Sequence, residues 1–216
     1  MHEELTEKGT EYLLNGKYDK ALETYQRAAD QGSYLAMYNI ACMYYFGDGV
    51  KKDDSVSYQW FCKASDAGDP EAASRAGVMA EKGIGTEKDM EKAFHLYQTA
   101  ANRKSLSGMA NLALCYLEGK GTQKNIDKGI VWMQKASEGG NGIASEFLGD
   151  CYRNGKYVAQ NDRYAVSCYE KGLSQKYAPA VKKLAEMTEK GLGTDKDLKK
   201  ASELYAKAEA LENIKE

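Results

Sequence analysis

Histidine is scarce in this chain, with His2 and His95 the only two among 216 residues. No Cys-x-x-Cys joins any of the five cysteines. The clustered nitrogen and sulfur ligands of a zinc site are therefore missing. No serine is followed three positions later by lysine, and neither Gly-x-Ser-x-Gly nor His-Glu-x-x-His occurs. These gaps leave the usual serine-hydrolase and zinc-protease constellations without residues to form them. No apolar run approaches the roughly 18–20 residues that span a bilayer. The opening Met1-His2-Glu3-Glu4 is not the basic start of a signal peptide. Charge is nearly balanced, 30 Lys and Arg against 32 Asp and Glu for a net −2. That balance gives no reason to expect a nucleic-acid or membrane partner. The absences together point to a cytoplasmic protein that is not an enzyme and uses no cofactor or metal.

What is present is a repeat. Gly47, Gly83, Gly119, Gly155 and Gly191 follow one another at intervals of 36 residues, a period typical of stacked repeat arrays. Other positions keep the same step. Gly49, Gly85, Gly121, Tyr157 and Gly193 form one series, and Asp53, Asp89, Asn125, Asn161 and Asp197 another. Within a unit, Ala36, Ile40, Ala41 and Tyr44 lie on one helical stripe, and Val56, Ser57, Trp60, Phe61 and Ala64 on a second. Ser33, Asp69, Ser105 and Asn141 are good N-caps for first helices, whereas Tyr177 is a weaker start. The recurring glycine falls where a first helix ends in a left-handed residue, and the Asp/Asn series caps the second helix. One helix pair buries too little apolar surface to offset its ordering entropy, but stacked pairs bury enough. The reading is therefore all-α. It has a capping unit over 1–32, five repeats (33–68, 69–104, 105–140, 141–176, 177–212) and a tail over 213–216, as one continuous repeat domain. The first unit has an inter-helix turn four residues shorter, at Asn15-Gly16-Lys17-Tyr18-Asp19.

The string Ala36-x3-Ile40-Ala41-x2-Tyr44-x2-Gly47-x-Gly49-Val50-x2-Asp53, continued by Trp60-Phe61-x-Lys63-Ala64-Ser65-x2-Gly68, resembles the Sel1-like repeat, a branch of the tetratricopeptide superfamily. The shorter first unit resembles an ordinary tetratricopeptide repeat. The resemblance implies a right-handed α-solenoid of about six helix-turn-helix units whose first helices line a concave face. It also implies an adaptor that gathers proteins. Secreted relatives carry a cysteine ladder, but the equivalent positions here include Ala36, Ala72, Ser65 and Ala101. The cysteines therefore read as reduced core or surface thiols.

Two recurrent features carry a bland explanation. The Gly-x-Gly strings follow helices, not strands, so they read as helix ends, not phosphate cradles. The lysine row Lys52, Lys88, Lys124 and Lys196, broken by Gln160, suits cations near helix C-termini.

Aligning first helices on the tetratricopeptide pattern puts Tyr38, Cys42, Tyr45 and Phe46 inward in one unit. Arg75, Val78, Leu114 and Leu117 follow in the next two, then Glu146, Asp150, Arg153 and Lys182. These residues are the expected partner-binding set, apolar and aromatic toward the N-terminus and charged toward the C-terminus. The tetratricopeptide clamp for C-terminal carboxylates is incomplete, because only Asn39 and Arg75 match it. The expected function is non-enzymatic scaffolding of a protein or peptide partner in the groove. Two alternatives are a weak homodimer through an array end and a hydrolase for which no constellation is present. A competing role for Tyr38, Tyr45 and Phe46 is packing against the capping unit near Leu13 and Leu14.

Overall fold

The computed structural model describes residues 2–213. Met1 and residues 214–216, which make up most of the 213–216 tail, lie outside the described residues. The described residues form twelve helices and no strand. In order they are α1 (His2–Leu14), α2 (Tyr18–Asp30), α3 (Tyr34–Phe46), α4 (Asp54–Asp66), α5 (Pro70–Lys82) and α6 (Met90–Asn102). They continue as α7 (Leu106–Glu118), α8 (Ile126–Glu138), α9 (Gly142–Asn154), α10 (Asp162–Ser174), α11 (Ala178–Lys190) and α12 (Leu198–Asn213). The architecture is the all-α solenoid class of stacked helix pairs.

Local chemistry sets the helix ends. Ser33, Asp69, Ser105 and Asn141 each accept an N–H from the first turn of α3, α5, α7 and α9. Tyr177 makes no side-chain cap, and Pro179 sits in the first turn of α11 instead, where its missing N–H is harmless. Asp53, Asp89, Asn125, Asn161 and Asp197 cap α4, α6, α8, α10 and α12 in the same way. Each cap is worth about 1 kcal/mol. Gly47, Gly83, Gly119, Gly155 and Gly191 are all left-handed, with φ between 67° and 82°. The stems of the lysine row fold over these glycines: Lys52, Lys88, Lys124 and Lys196 place Cβ 3.0–3.4 Å from where a glycine side chain would begin. Gln160 Cβ makes the same approach to Gly155 at 3.5 Å.

The second glycine of each turn has a different task. A Cβ on Gly85 would stand 2.0 Å from the Asp54 carbonyl oxygen, and one on Gly121 would stand 1.9 Å from that of Met90. Each turn thus sits directly on the start of the preceding second helix, an approach that needs a bare backbone. Tyr157 occupies this place once, at φ 70°, with its ring stacked on Phe147.

The chain divides into two compact units. One runs to Leu112 and includes Lys120–Gln123; the other comprises Ala113–Gly119 and the residues from Lys124 onward. The first has a core built on Ala21, Tyr25, Ala28, Ala36, Ile40 and Met43, with Leu13 and Tyr12 packed at its margin. The second has a core built on Ala165, Tyr169, Val181, Leu184, Met187 and Leu204. A small-for-large exchange fills both. Gly9, Gly77 and Gly149 face the rings of Tyr25, Tyr97 and Tyr169, with built Cβ positions 2.3–2.6 Å from ring carbons. The three rings are fully buried. Their hydroxyls emerge between helices: Tyr25 bonds Thr10, Tyr97 donates to Glu81 and Tyr169 donates to Asp150.

Candidate partner-binding site

In the first unit, α3 carries no charged residue over YLAMYNIACMYYF. One side of this helix is core, with Ala36, Ile40, Ala41 and Met43 buried. The other side presents Tyr38, Cys42, Tyr45 and Phe46. With Phe61 of α4, Arg75, Val78, Met79 and Lys82 of α5 and Ile84 of the following turn, these residues line a pocket of about 130 Å³. Tyr38 meets Phe61 edge-on at 5.3 Å, and Tyr45 meets Phe46 edge-on at 5.1 Å. Phe46 is 67% exposed and forms part of a contiguous aromatic patch with Tyr38, Tyr45 and Phe61. The aromatic residues therefore gather with α4 and α5. Leu14, the other residue considered as their cover, is itself 82% exposed.

Burial raises the Cys42 thiol despite the opposing pull of Arg75, and burial likewise raises the Tyr38 hydroxyl. A thiol held protonated is a poor nucleophile. Elsewhere, burial also raises Cys62 and Cys168 and pushes Cys151 up to about 11. Among the described residues, no group of three or more His, Cys, Asp or Glu could hold a metal ion.

The second unit's face is chemically different. Lys183 of α11 lies 2.6 Å from both Glu146 and Asp150 of α9, and Arg153 lies 3.2 Å from Glu186. Burial alone would lower Lys183, but the two carboxylates outweigh it and the ammonium is held above its usual range. Lys182 pairs at 2.8 Å with Glu212. Glu146, Asp150 and Arg153 are thus engaged in joining consecutive helix pairs, and Lys182 in joining the two helices of the last pair. Lys183, which completes this network, was not among the expected residues, because its role depends on its neighbours and not on its place in the repeat.

One expected site residue is corrected. Leu117 is fully buried and offers nothing to a partner. Its side chain fills the space beside Gly129, where a Cβ would lie 2.5 Å from Leu117 Cγ. Other repeats carry Ser57, Ala93, Ala165 and Ala201 at the Gly129 position. Leu114, one turn earlier, stays half-buried. The pocket also includes Phe61, which the repeat pattern places on the second helical stripe, together with Met79 and Ile84.

The Sel1 repeat profile matches residues 7–33, 35–69, 70–105, 106–141, 143–177 and 178–213. The chain belongs to the Sel1 repeat family. The short-turn first pair is matched as one of its six repeats. Sel1 repeat proteins are generally protein-interaction scaffolds of non-catalytic type.

Solved structures agree with the assignment. A Sel1 repeat protein from Oxalobacter formigenes is 28% identical with a TM-score of 0.82, the match covering 95% of this chain and 84% of that one. A protective antigen of uropathogenic Escherichia coli with an SLR fold is 27% identical with a TM-score of 0.86, covering 97% of this chain. This Sel1 chain spans 46% of the antigen's length. An immunity protein from Pseudomonas aeruginosa, 20% identical with a TM-score of 0.62 over 94% of this chain and 82% of that one, shares the fold. No curated protein matches the chain significantly. Among the described residues, no helix is long and apolar enough to cross a membrane.

Proposed function

We propose that this Sel1 repeat protein is a non-catalytic scaffold that holds a segment of a protein partner on the α3–α4–α5 face. The observation that carries the reading is the aromatic pocket around Tyr38, Cys42, Tyr45 and Phe46, open to solvent while the charged face of the second unit is occupied by its own ion pairs. An exposed aromatic cluster at a concave site is where binding energy concentrates in an interface. Val78 and Arg75 belong to the same site. Leu114 stands outside this pocket, and Glu146, Asp150, Arg153 and Lys182 hold helices together.

The test is site-specific photo-crosslinking in cells, with benzoylphenylalanine in place of Phe46 or, as control, of Val131, an exposed residue far along the chain. A discrete protein adduct is expected from position 46 and not from 131, and Tyr38→Ala with Val78→Asp should remove it. Identical adducts from both positions, or one that survives the double substitution, would overturn the assignment.

A further inference from the structure

We infer that the occupant of the α3–α4–α5 pocket is one large apolar side chain, aromatic or leucyl, flanked by carboxylates on an acidic segment of the partner; this rests on the scaffold reading above. The size argument is direct. A cavity of roughly 150 Å³ lined by Leu, Ile and Phe accepts benzene, and the pocket here offers about 130 Å³ behind an open mouth. One ring or one branched chain fills it. Two do not fit. Its lining of Tyr38, Tyr45, Phe46, Phe61, Val78 and Ile84 has little to satisfy a buried polar group.

The charge argument comes from the state of α5. Arg75 and Lys82 line the pocket, whereas neither carboxylate of α5 does. Glu71 accepts hydrogen bonds from Ser105 and Ser107, and Glu81 accepts one from Tyr97. Its cations are not committed in the same way. Arg75 approaches Glu71 only at 3.9 Å, with its own side chain 58% exposed. Lys82 lines the pocket without any ion pair among the described residues. Lys52 reaches the Tyr45 ring at 5.5 Å, adding a third positive group shared with Asp54 at 3.5 Å. Asp48 and Asp69 lie close enough for their charges to help raise the Cys42 thiol, and Glu71 does the same for the Tyr38 hydroxyl, but none of the three lines the pocket. An apolar cleft bordered by Arg75 and Lys82 favours a segment that brings negative charge on either side of its anchor, and it repels a basic one.

The test uses three fluorescein-labelled synthetic peptides on the whole chain, read by anisotropy. They are Gly-Glu-Asp-Phe-Glu-Asp-Gly, the same peptide with Ala for Phe, and Gly-Lys-Arg-Phe-Lys-Arg-Gly. The acidic Phe peptide should bind at least about tenfold more tightly than either of the others and weaken as salt is raised. Arg75→Glu with Lys82→Glu, both at exposed positions and checked for helicity, should invert the acidic-over-basic preference. Equal affinity for both charge types, preference for the basic peptide, or no binding of the acidic Phe peptide at millimolar concentration would overturn the inference. A position-46 crosslink obtained alongside any of those results would leave the scaffold reading standing and remove only the acidic anchor.

Discussion

A Cβ added at Gly149 would stand 2.3 Å from Cε1 of Tyr169. The ring has no room to retreat, since it is fully buried and its hydroxyl donates to Asp150 at 2.7 Å. Replacing a helical glycine with alanine ordinarily gains up to about 1 kcal/mol. Here that gain is set against overpacking, which costs about 1–3 kcal/mol. Gly149→Ala should therefore lower the urea midpoint. The chain also contains the compensating pair. Where Gly77 and Gly149 face Tyr97 and Tyr169, the equivalent positions read Ala41 with Phe61 and Ala113 with Met133, while the last repeat keeps Ala185 with Tyr205, whose ring is exposed and not buried. Gly149→Ala combined with Tyr169→Met should be more stable than the sum of the two single changes implies. A double-mutant cycle with zero coupling would show that the two positions do not share one volume.

At the scale of the element, the turn between paired helices is the most constrained segment. Gly85 has φ +67° and lies where any Cβ would meet the Asp54 carbonyl at 2.0 Å. The backbone of Asp54 belongs to the first turn of α4 and has no flexible end that could give way. Gly85→Ala should cost about 2 kcal/mol or more, beyond the roughly 1–2 kcal/mol of left-handed strain alone. Tyr157, at the same place in its repeat, should behave differently. Tyr157→Gly removes that strain and also the stacking on Phe147, so the two nearly cancel. Thermal melts of both variants decide the matter, and a loss in Tyr157→Gly as large as that in Gly85→Ala would mean that contact with Phe147, not relief of strain, governs position 157. These turns were legible in the amino-acid sequence because a positive φ and an N-cap are local events, each written in one or two residues such as Gly83 and Asp89. The site was legible only in part. The repeat register placed Tyr38, Cys42, Tyr45, Phe46 and Val78 on one side of their helices, and they do line one pocket. The register also put Leu117 there, but the missing Cβ at Gly129 opened a hole that took it inward. The ion pairs of Lys183 and the entry of Ile84 into the pocket depend on contacts between helices that no single repeat encodes.

For the molecule as a whole, the two tryptophans are placed to report separately. Trp60 lies in the first compact unit and Trp132 in the second, each half-buried beneath a lysine, Lys63 at 4.1 Å and Lys135 at 4.3 Å. Each unit has its own buried cluster, and in repeat proteins stability is a sum of local and nearest-neighbour terms. Leu184→Ala removes a buried side chain of the second cluster at a cost of about 2–5 kcal/mol. In a Trp60→Phe background, the Trp132 emission should report that loss as a lower denaturant midpoint. In a Trp132→Phe background, Trp60 should report a smaller shift or none, and equal shifts would make the chain a single cooperative unit. The same pair of probes locates the ligand. A peptide bound in the α3–α4–α5 pocket at a hundred times its Kd stabilises the state that binds it by about 2.7 kcal/mol. That increment should raise the Trp60 midpoint and leave the Trp132 midpoint unmoved, because every residue lining the pocket belongs to the first unit.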